Sequence, residues 1–310
     1  MNILHLKYAV EVERTRSITK AASNLYMGQP NLSRAIKELE QNIGITLFKR
    51  TANGIVPTAA GEDFLFQAKN VLKQIERLEN QYKPANQNKI IFNISVPRSN
   101  YIAHAFSKFV SGLDTQKELE ISYKETNSMR TINNLLQGNY NLGIIRYHNI
   151  YDSQFLNFFK EKNLKCEPIW QFKYKILISE KSKLASLEKL TVADLETGVE
   201  IAFGDPYVPS LTTSEVRRTE YTSISKRRIC IFERASQFDL LKEIPDSYIW
   251  VSSLPDELLK MHGLTLKSCI DNEPKQYKDV LVYRQNYSLT DIDKEFIKYL
   301  KKTIGEISEE

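Results

Sequence analysis

Three cysteines, four histidines and two tryptophans in 310 residues leave little material for several common chemistries. Cys166, Cys230 and Cys269 are odd in number and form no CxxC pair, so a disulfide framework is not expected. Reduced thiols in a cytoplasmic protein are the default expectation, and a regulatory redox pair is the alternative. His5, His104, His148 and His262 are scattered without HExxH or HxxxH spacing, which argues against a metal site. No GxGxxG, Walker loop or GxSxG elbow occurs, and Glu11 and Glu13 do not share a helix face. An enzyme is therefore not expected, and His104 reads as a structural histidine rather than a base. Long apolar runs are also missing: charges interrupt each one well short of the ~20 residues a membrane span needs. The opening "MNILHLKYAVEVERTR" carries acidic residues where a secretory signal would be apolar.

What remains is ordinary in bulk and uneven in distribution. Apolar content is 42% and charged content 26%, as in soluble globular chains, and the length suggests two or three folded units. Of the net charge of +5, residues 1–84 hold most, with twelve Lys/Arg against eight Asp/Glu. A local basic excess favours a polyanionic partner; ordinary surface charge is the plainer explanation.

The first 57 residues read as three helices and a wing. Leu4, Tyr8 and Val12 lie on one face of a helix over 4–14. Ser17 is placed to cap a second, with Ile18, Ala21, Ala22 and Leu25 at helical spacing. Gly28 and Pro30 in "YMGQP" suit the end of that helix and the start of a third, running from about Pro30 to Gln41. Two short helices joined by a tight Gly-containing turn make a helix-turn-helix pattern. In "ITLFKRTANGIVPTAAG", Asn53-Gly54 signals a hairpin between two short strands. Thr58 then opens a long helix whose apolar positions Phe64, Ala68, Val71, Ile75, Leu78 and Tyr82 are spaced as a heptad seam. Such a seam needs a partner helix or its own chain to cover it; dimerisation is the preferred reading. Residues 83–88 read as a hinge.

From residue 89 strands and helices alternate, from "KIIFNISV" to "YKDVLVYR" and a closing helix over 290–302. The alternation predicts parallel sheets covered on both faces, in two α/β lobes with a ligand cleft between them. The expected lobes are 89–163 plus 267–310, and 164–266.

The third helix has an apolar face (Leu32, Ala35, Ile36, Leu39) and an opposite face of Asn31, Ser33, Arg34 and Lys37. That face is solvated or it reads DNA, since a helix fits the major groove and these side-chain ends can meet base edges and phosphates. Arg34 suits guanine, Gln29 and Asn31 suit adenine or a phosphate, and Ser33 and Lys37 suit the backbone. Lys49, Arg50 and Thr51 of the wing could reach a neighbouring groove. A ligand-binding protein that has lost DNA recognition is the competing class; intact Arg34 and Lys37 weigh against it.

Residues 1–84 resemble the winged helix-turn-helix and linker helix of LysR-type transcriptional regulators. The resemblance lies in "SITKAASNLYMGQPNLSRAIKELEQNIGITLFKRTANGIVPTAAGEDFL", through Ala21-Ala22, Gln29-Pro30, Leu32-Ser33, Leu39-Glu40, "LFKRT" and "PTAAG". It implies an α-rich N-terminal winged helix-turn-helix followed by a two-lobed, periplasmic-binding-protein-like α/β effector domain. It also implies a homotetramer, built as a dimer of dimers, on interrupted palindromes near promoters. A small coinducer is implied too, with RNA polymerase as a partner if the protein activates. DNA contacts carried over by the resemblance fall on Gln29, Pro30, Asn31, Ser33, Arg34 and Lys37, with Arg50 and Thr51 in the wing; Ser17, Thr19 and Lys49 complete the candidate DNA-binding set. The effector cleft falls on Ser95, Arg98, Ser99, Asn100, Asn127, Ser128, Arg146, Phe203, Gly204 and Ser236. Ser99/Asn100, Asn127/Ser128 and Ser236 stand at expected helix starts, where amide donors favour an anion, and Arg98 and Arg146 would add positive charge. A small carboxylate is the expected ligand; simple helix capping is the other reading. "VPRSN" and "GDPYVPS" depart from the family pattern, the first through Pro97 and Arg98, the second through Pro206, Tyr207 and Pro209.

Overall fold

Side chains with short oxygen arms set the first helices. Asn2 Oδ1 accepts the Leu4 amide (3.0 Å) to start α1 (Ile3–Thr15), and Ser17 Oγ accepts the Lys20 amide (3.3 Å) to start α2 (Ile18–Asn24). In α3 (Gln29–Ile43) Pro30 sits in the first turn, where no amide is needed, and Gly44 ends the helix at φ 74°. The wing is β1 (Phe48–Thr51) paired antiparallel with β2 (Gly54–Pro57). Gly54 adopts φ 103°, and a Cβ there would lie 2.7 Å from the Arg16 carbonyl oxygen, so this position needs glycine. The Ile55 amide donates to that same carbonyl (2.9 Å), tying the wing to the end of α1. Thr58 Oγ1 accepts the Gly61 amide (2.9 Å) at the head of α4 (Ala59–Tyr82) and donates to the Thr46 carbonyl (2.6 Å).

The computed structural model describes residues 2–51, 54–82, 89–220, 225–270 and 275–308, in two units that part at residues 88 and 89. Asn53 of the expected turn and the hinge at 83–88 lie outside the described residues. In the first unit Leu32, Ile36 and Leu39 of α3 pack on Ala9, Val12, Ala21 and Ala22, with Leu47 and Leu65 closing the core. The small alanines of α2 let α3 approach closely. Glu40 Oε1 accepts the Leu47 and Phe48 amides (2.7 and 3.2 Å) and so places the start of the wing.

The second unit runs β3 (Lys89–Val96), α5 (Asn100–Ser111), β4 (Glu118–Glu125), α6 (Ser128–Leu136), β5 (Leu142–His148), α7 (Asp152–Glu161) and β6 (Leu164–Lys173). It continues with β7 (Lys175–Ser179), α8 (Val192–Glu196), β8 (Val199–Phe203), α9 (Thr213–Glu220), β9 (Arg227–Ile231), α10 (Ser236–Glu243) and β10 (Ser247–Val251). Last come α11 (Asp256–His262), β11 (Leu264–Lys267), β12 (Gln276–Arg284) and α12 (Asp291–Ser308). The sheet orders are β4-β3-β5-β12-β6 and β11-β7-β10-β8-β9. Along β5 and β12 alternate residues serve opposite cores. Leu142, Ile144, Leu281 and Tyr283 join α5 and α12, whereas Ile145, Tyr147, Val280 and Val282 join α6 and α7.

Three expectations need correction. The sheets are mixed rather than parallel: β12 runs antiparallel to β5 and β6, and β7 runs antiparallel to β10 and β11. Returning chain segments, not βα crossovers, supply these strands. The lobe boundary at 163/164 is misplaced, because β6 pairs along β12 and belongs to the first lobe. Tyr174 alone separates β6 from β7, and the second lobe's sheet spans Lys175 to Lys267. Pro168 hides β6 in the sequence, since proline is poor in strands; here it sits on an edge strand beside a register shift at Asp279/Val280. Finally, the segment after β8 does not stay with its own lobe. Val208 and Val216 are buried in the first lobe's core with Phe155 and Val282, and "GDPYVPS" is the strap that carries them there.

Candidate functional site

The outward face of α3 is laid out as a contact surface. Gln29, Pro30, Asn31, Arg34 and Lys37 are exposed, Ser33 is half-buried, and the four apolar positions of the opposite face are buried. Lys49, Arg50 and Thr51 of β1 are exposed, and Thr51 Oγ1 is turned to the Gly54 carbonyl (3.0 Å). Thr19 is exposed, whereas Ser17 is half-buried and engaged as a cap. Sequence reasoning passed over Tyr26, which is 98% exposed in the turn before α3 at φ 53°. A large aromatic inside a four-residue break was the available signal.

The heptad seam on α4 is only partly free. Phe64 packs on the core of its own unit and Ala68 is buried, because this end of α4 covers α1; Lys69 also pairs with Glu13 of α1 (2.7 Å). Val71 is 41% exposed and Ile75 half-buried. The side chains of Leu78 and Tyr82 lie outside the described residues.

Between the two lobes of the second unit is a cavity of about 220 Å³. Of the expected residues Arg98, Ser99, Asn100, Asn127, Ser128, Arg146 and Phe203 line it. Three do not. Ser95 is fully buried in β3, where its Oγ meets Thr131 Oγ1 and Asn134 Nδ2 (both 3.1 Å) and fastens α6 to the sheet. Gly204 packs against Phe232 and its carbonyl accepts Arg217 (2.7 Å). Ser236 begins α10, but its neighbour Gln237 is the residue that faces in, donating to Asn100 Oδ1 (2.9 Å). Only one of the expected caps acts as a cap toward the cleft: Asn127 Oδ1 accepts the Arg130 amide (2.9 Å). Ser99 Oγ instead accepts Arg146 Nη2 (3.0 Å), and Ser128 Oγ donates to the Arg146 carbonyl (3.2 Å).

The positive charge expected of Arg98 and Arg146 is already engaged. Arg98 makes a bidentate pair with Asp205 (2.7 and 3.1 Å), bridging the two lobes, and Asn127 Nδ2 braces the same carboxylate (3.1 Å). Arg146 makes a second bidentate pair with fully buried Asp279 (2.8 and 2.7 Å), to which Tyr101 also donates (2.5 Å). Burial disfavours the charged guanidinium of Arg146, but the Asp279 carboxylate outweighs it and holds its pKa above the ordinary value. Arg234 also links the lobes, through Glu125 (2.7 Å) and Asn100 (3.1 Å).

A further group in the wall comes from residues that no motif marked: His148, Tyr174, Glu220, Trp250, Lys275 and Tyr277. Burial would raise the Glu220 pKa, but the Tyr277 hydroxyl bonded to it and His148, whose Nδ1 lies 3.6 Å away, override this and keep the carboxyl below its usual range. Burial lowers the pKa of Lys275, whose Nζ donates to the Thr219 and Glu220 carbonyls (2.5 and 2.8 Å). Burial pushes the Tyr174 phenol up to about 12. These side chains converge from strand ends, a helix end and the single-residue crossing between lobes, so linear spacing carries no trace of them.

Known proteins bear on both units. Residues 3–62 match the family described as "Bacterial regulatory helix-turn-helix protein, lysR family". The transcriptional regulator AlsR of Bacillus subtilis (strain 168) is 26% identical over 270 residues, covering 85% of this chain and 83% of AlsR. In fold, the full-length CbnR–target DNA complex superposes with a TM-score of 0.61 at 17% identity, covering 98% of this chain and all of CbnR. A full-length OxyR variant of Pseudomonas aeruginosa gives 0.58 at 15% identity, covering 99% of this chain and 96% of OxyR. Among the described residues no helix is long and apolar enough to cross a membrane. With an exposed basic reading face on a helix-turn-helix, a two-lobed α/β unit and this set of relatives, the chain belongs to the LysR family of DNA-binding transcriptional regulators.

Proposed function

We propose that this regulator is a cytoplasmic homo-oligomer, paired through α4 and assembled as a dimer of dimers, whose DNA binding is set by a small molecule held between the α/β lobes. The observation that carries the reading is the inter-lobe cavity, walled by both lobes and spanned by Arg98–Asp205 and Arg234–Glu125. A ligand there acts on both lobes at once, so it can favour one lobe arrangement over another. On DNA, Arg34 reads a base edge from the major groove, with Gln29 and Asn31 beside it at the start of α3. Ser33, Lys37 and the wing residues Lys49, Arg50 and Thr51 hold the backbone. CbnR, the relative seen with its target DNA, supports this docking of the first unit. If it activates transcription, the protein also meets RNA polymerase.

The test is selection of bound sites from random duplex DNA by the full-length protein, at several salt concentrations, with and without fractionated small metabolites. An enriched two-fold-symmetric, interrupted site whose affinity or protected length changes with one fraction supports the reading. Random recovered sequences would overturn the paired reading helices. A symmetric site indifferent to every fraction would overturn the effector role of the cleft.

A further inference from the structure

The cavity is small and carries many charges, yet they balance within it. Arg98 faces Asp205, Arg146 faces Asp279 and Arg228 faces Glu200 at 2.5–2.7 Å, while Lys275 lies buried beside Glu220. A carboxylate entering this site must break a bidentate pair, and the displaced aspartate then stays nearby as a buried like charge. The alternative surface on offer is aromatic. Tyr277 stacks on Tyr174 with centroids 4.0 Å apart and on His148 at 5.2 Å, and Tyr151 stands edge-on to His148 at 6.1 Å. Across the cavity the Arg98 guanidinium lies 5.2 Å from the Phe203 ring centroid. Its side chain is 7% exposed, and its Nε is buried without an acceptor among the described residues.

Resting on the reading of this cleft as the effector site, we propose that its ligand is an uncharged, planar aromatic molecule carrying a hydrogen-bond acceptor, and that simple carboxylates are rejected. A ring lies against the tyrosine wall, where offset stacking is favourable. A carbonyl, amide or ether oxygen satisfies Arg98 Nε and leaves the Asp205 pair intact, so no net charge is buried. The volume of about 220 Å³ lies below the roughly 300–1,000 Å³ of drug-sized sites, which limits the ligand to a small ring system.

Benzamide and benzoate test this directly, since they match in shape and differ in charge. Each is titrated against full-length protein, following tryptophan fluorescence, to which Trp250 in the cavity wall and Trp170 contribute. Wild type is expected to bind benzamide about tenfold or more tighter than benzoate. Asp205→Asn frees Arg98 and should improve benzoate by about tenfold while leaving benzamide within about twofold. If Asp205→Asn does not fold, the double variant Arg98→Met/Asp205→Leu removes the pair without an orphan charge; it should weaken benzamide about tenfold by removing the Nε donor and still give benzoate no gain. Tighter benzoate binding by wild type overturns the neutral ligand class and leaves the effector cleft standing. No saturable benzamide signal also overturns the proposal. In that case a metabolite fraction that alters DNA binding, in the selection experiment above, still preserves the cleft's role.

Discussion

The reading surface of the first unit and the cleft of the second use arginine in opposite ways. Among the described residues Arg34 and Lys37 of α3, and Lys49 and Arg50 of the wing, are exposed and hold no carboxylate at ion-pair distance. In the α/β unit Arg98, Arg146, Arg228 and Arg234 each hold one. Exposed cations without an intramolecular partner are available to a polyanion, and association with DNA releases the counterions they would otherwise hold. Paired and buried cations have already lost their hydration and serve to fix geometry. A count of basic residues therefore overstates the attraction of the cleft for anions and describes that of the reading helix fairly.

The comparison is broken most severely by removing a paired anion. Asp279→Asn keeps an acceptor for Tyr101 but leaves Arg146 buried without its counter-charge. The expected loss is about 3–5 kcal/mol of stability, read from urea unfolding. The double change Arg146→Met/Asp279→Leu should recover much of it, since it leaves no orphan charge and costs only the acceptor of the buried Tyr101 hydroxyl. Equal damage from both would mean that packing, not charge pairing, sets the stability here.

On the exposed side the effects move to DNA. Arg34→Ala should weaken binding to the selected site by about 1–3 kcal/mol with little change on random duplex. Lys37→Ala should weaken all sequences about equally and reduce the salt slope by about one. Equal losses on both kinds of DNA for Arg34→Ala would remove its base-reading role. Neither change should alter unfolding by more than about 0.5 kcal/mol, because both side chains are exposed.

This difference also explains how far the sequence could be read. The first unit is built from local signals: Ser17 as a cap, Pro30 in a first turn, Gly54 at a positive φ, and apolar residues every three or four positions. Each acts within a few residues of itself, so α1 to α4 and the wing were legible. In the second unit the strands that close each sheet return from far along the chain. Asp279 meets Arg146 across 133 positions, and Tyr174 enters the cavity only because two strands from different sheets abut there. Arg98 and Arg146 were visible as cavity residues, but their carboxylate partners were not, so the charge balance of the cleft was out of reach. Ser95, Gly204 and Ser236 were misplaced because neighbours on a strand or helix point to different sides.

Acid supplies a gentler probe within the first unit. Glu11 is held at a pKa of about 2 by hydrogen bonds from Arg14 and Asn24, well below the ordinary glutamate range. A carboxyl depressed in the folded state contributes stability above its unfolded pKa and loses it as pH falls toward the folded value. Wild type should therefore lose stability between about pH 4.5 and 2 through this group, and Glu11→Gln should flatten that part of the curve. An unchanged slope would mean that the Glu11–Arg14–Asn24 cluster is too solvated to matter.

The smallest effect belongs to Tyr26, the fully displayed aromatic beside the reading helix. It holds φ 53° without side-chain burial to compensate for the strain. Tyr26→Gly removes the Cβ penalty but adds freedom to the unfolded chain, so the net gain is expected to stay below about 1 kcal/mol. Because tyrosine carries no charge, the salt slope on DNA should not change, in contrast to Lys37→Ala. Thermal unfolding and a salt titration on the selected site give both numbers. A loss of affinity at constant slope would show that Tyr26 touches sugar or base, extending the exposed reading surface from α3 into the turn before it. Unchanged affinity would confine that surface to α3 and the wing, where unpaired cations carry it.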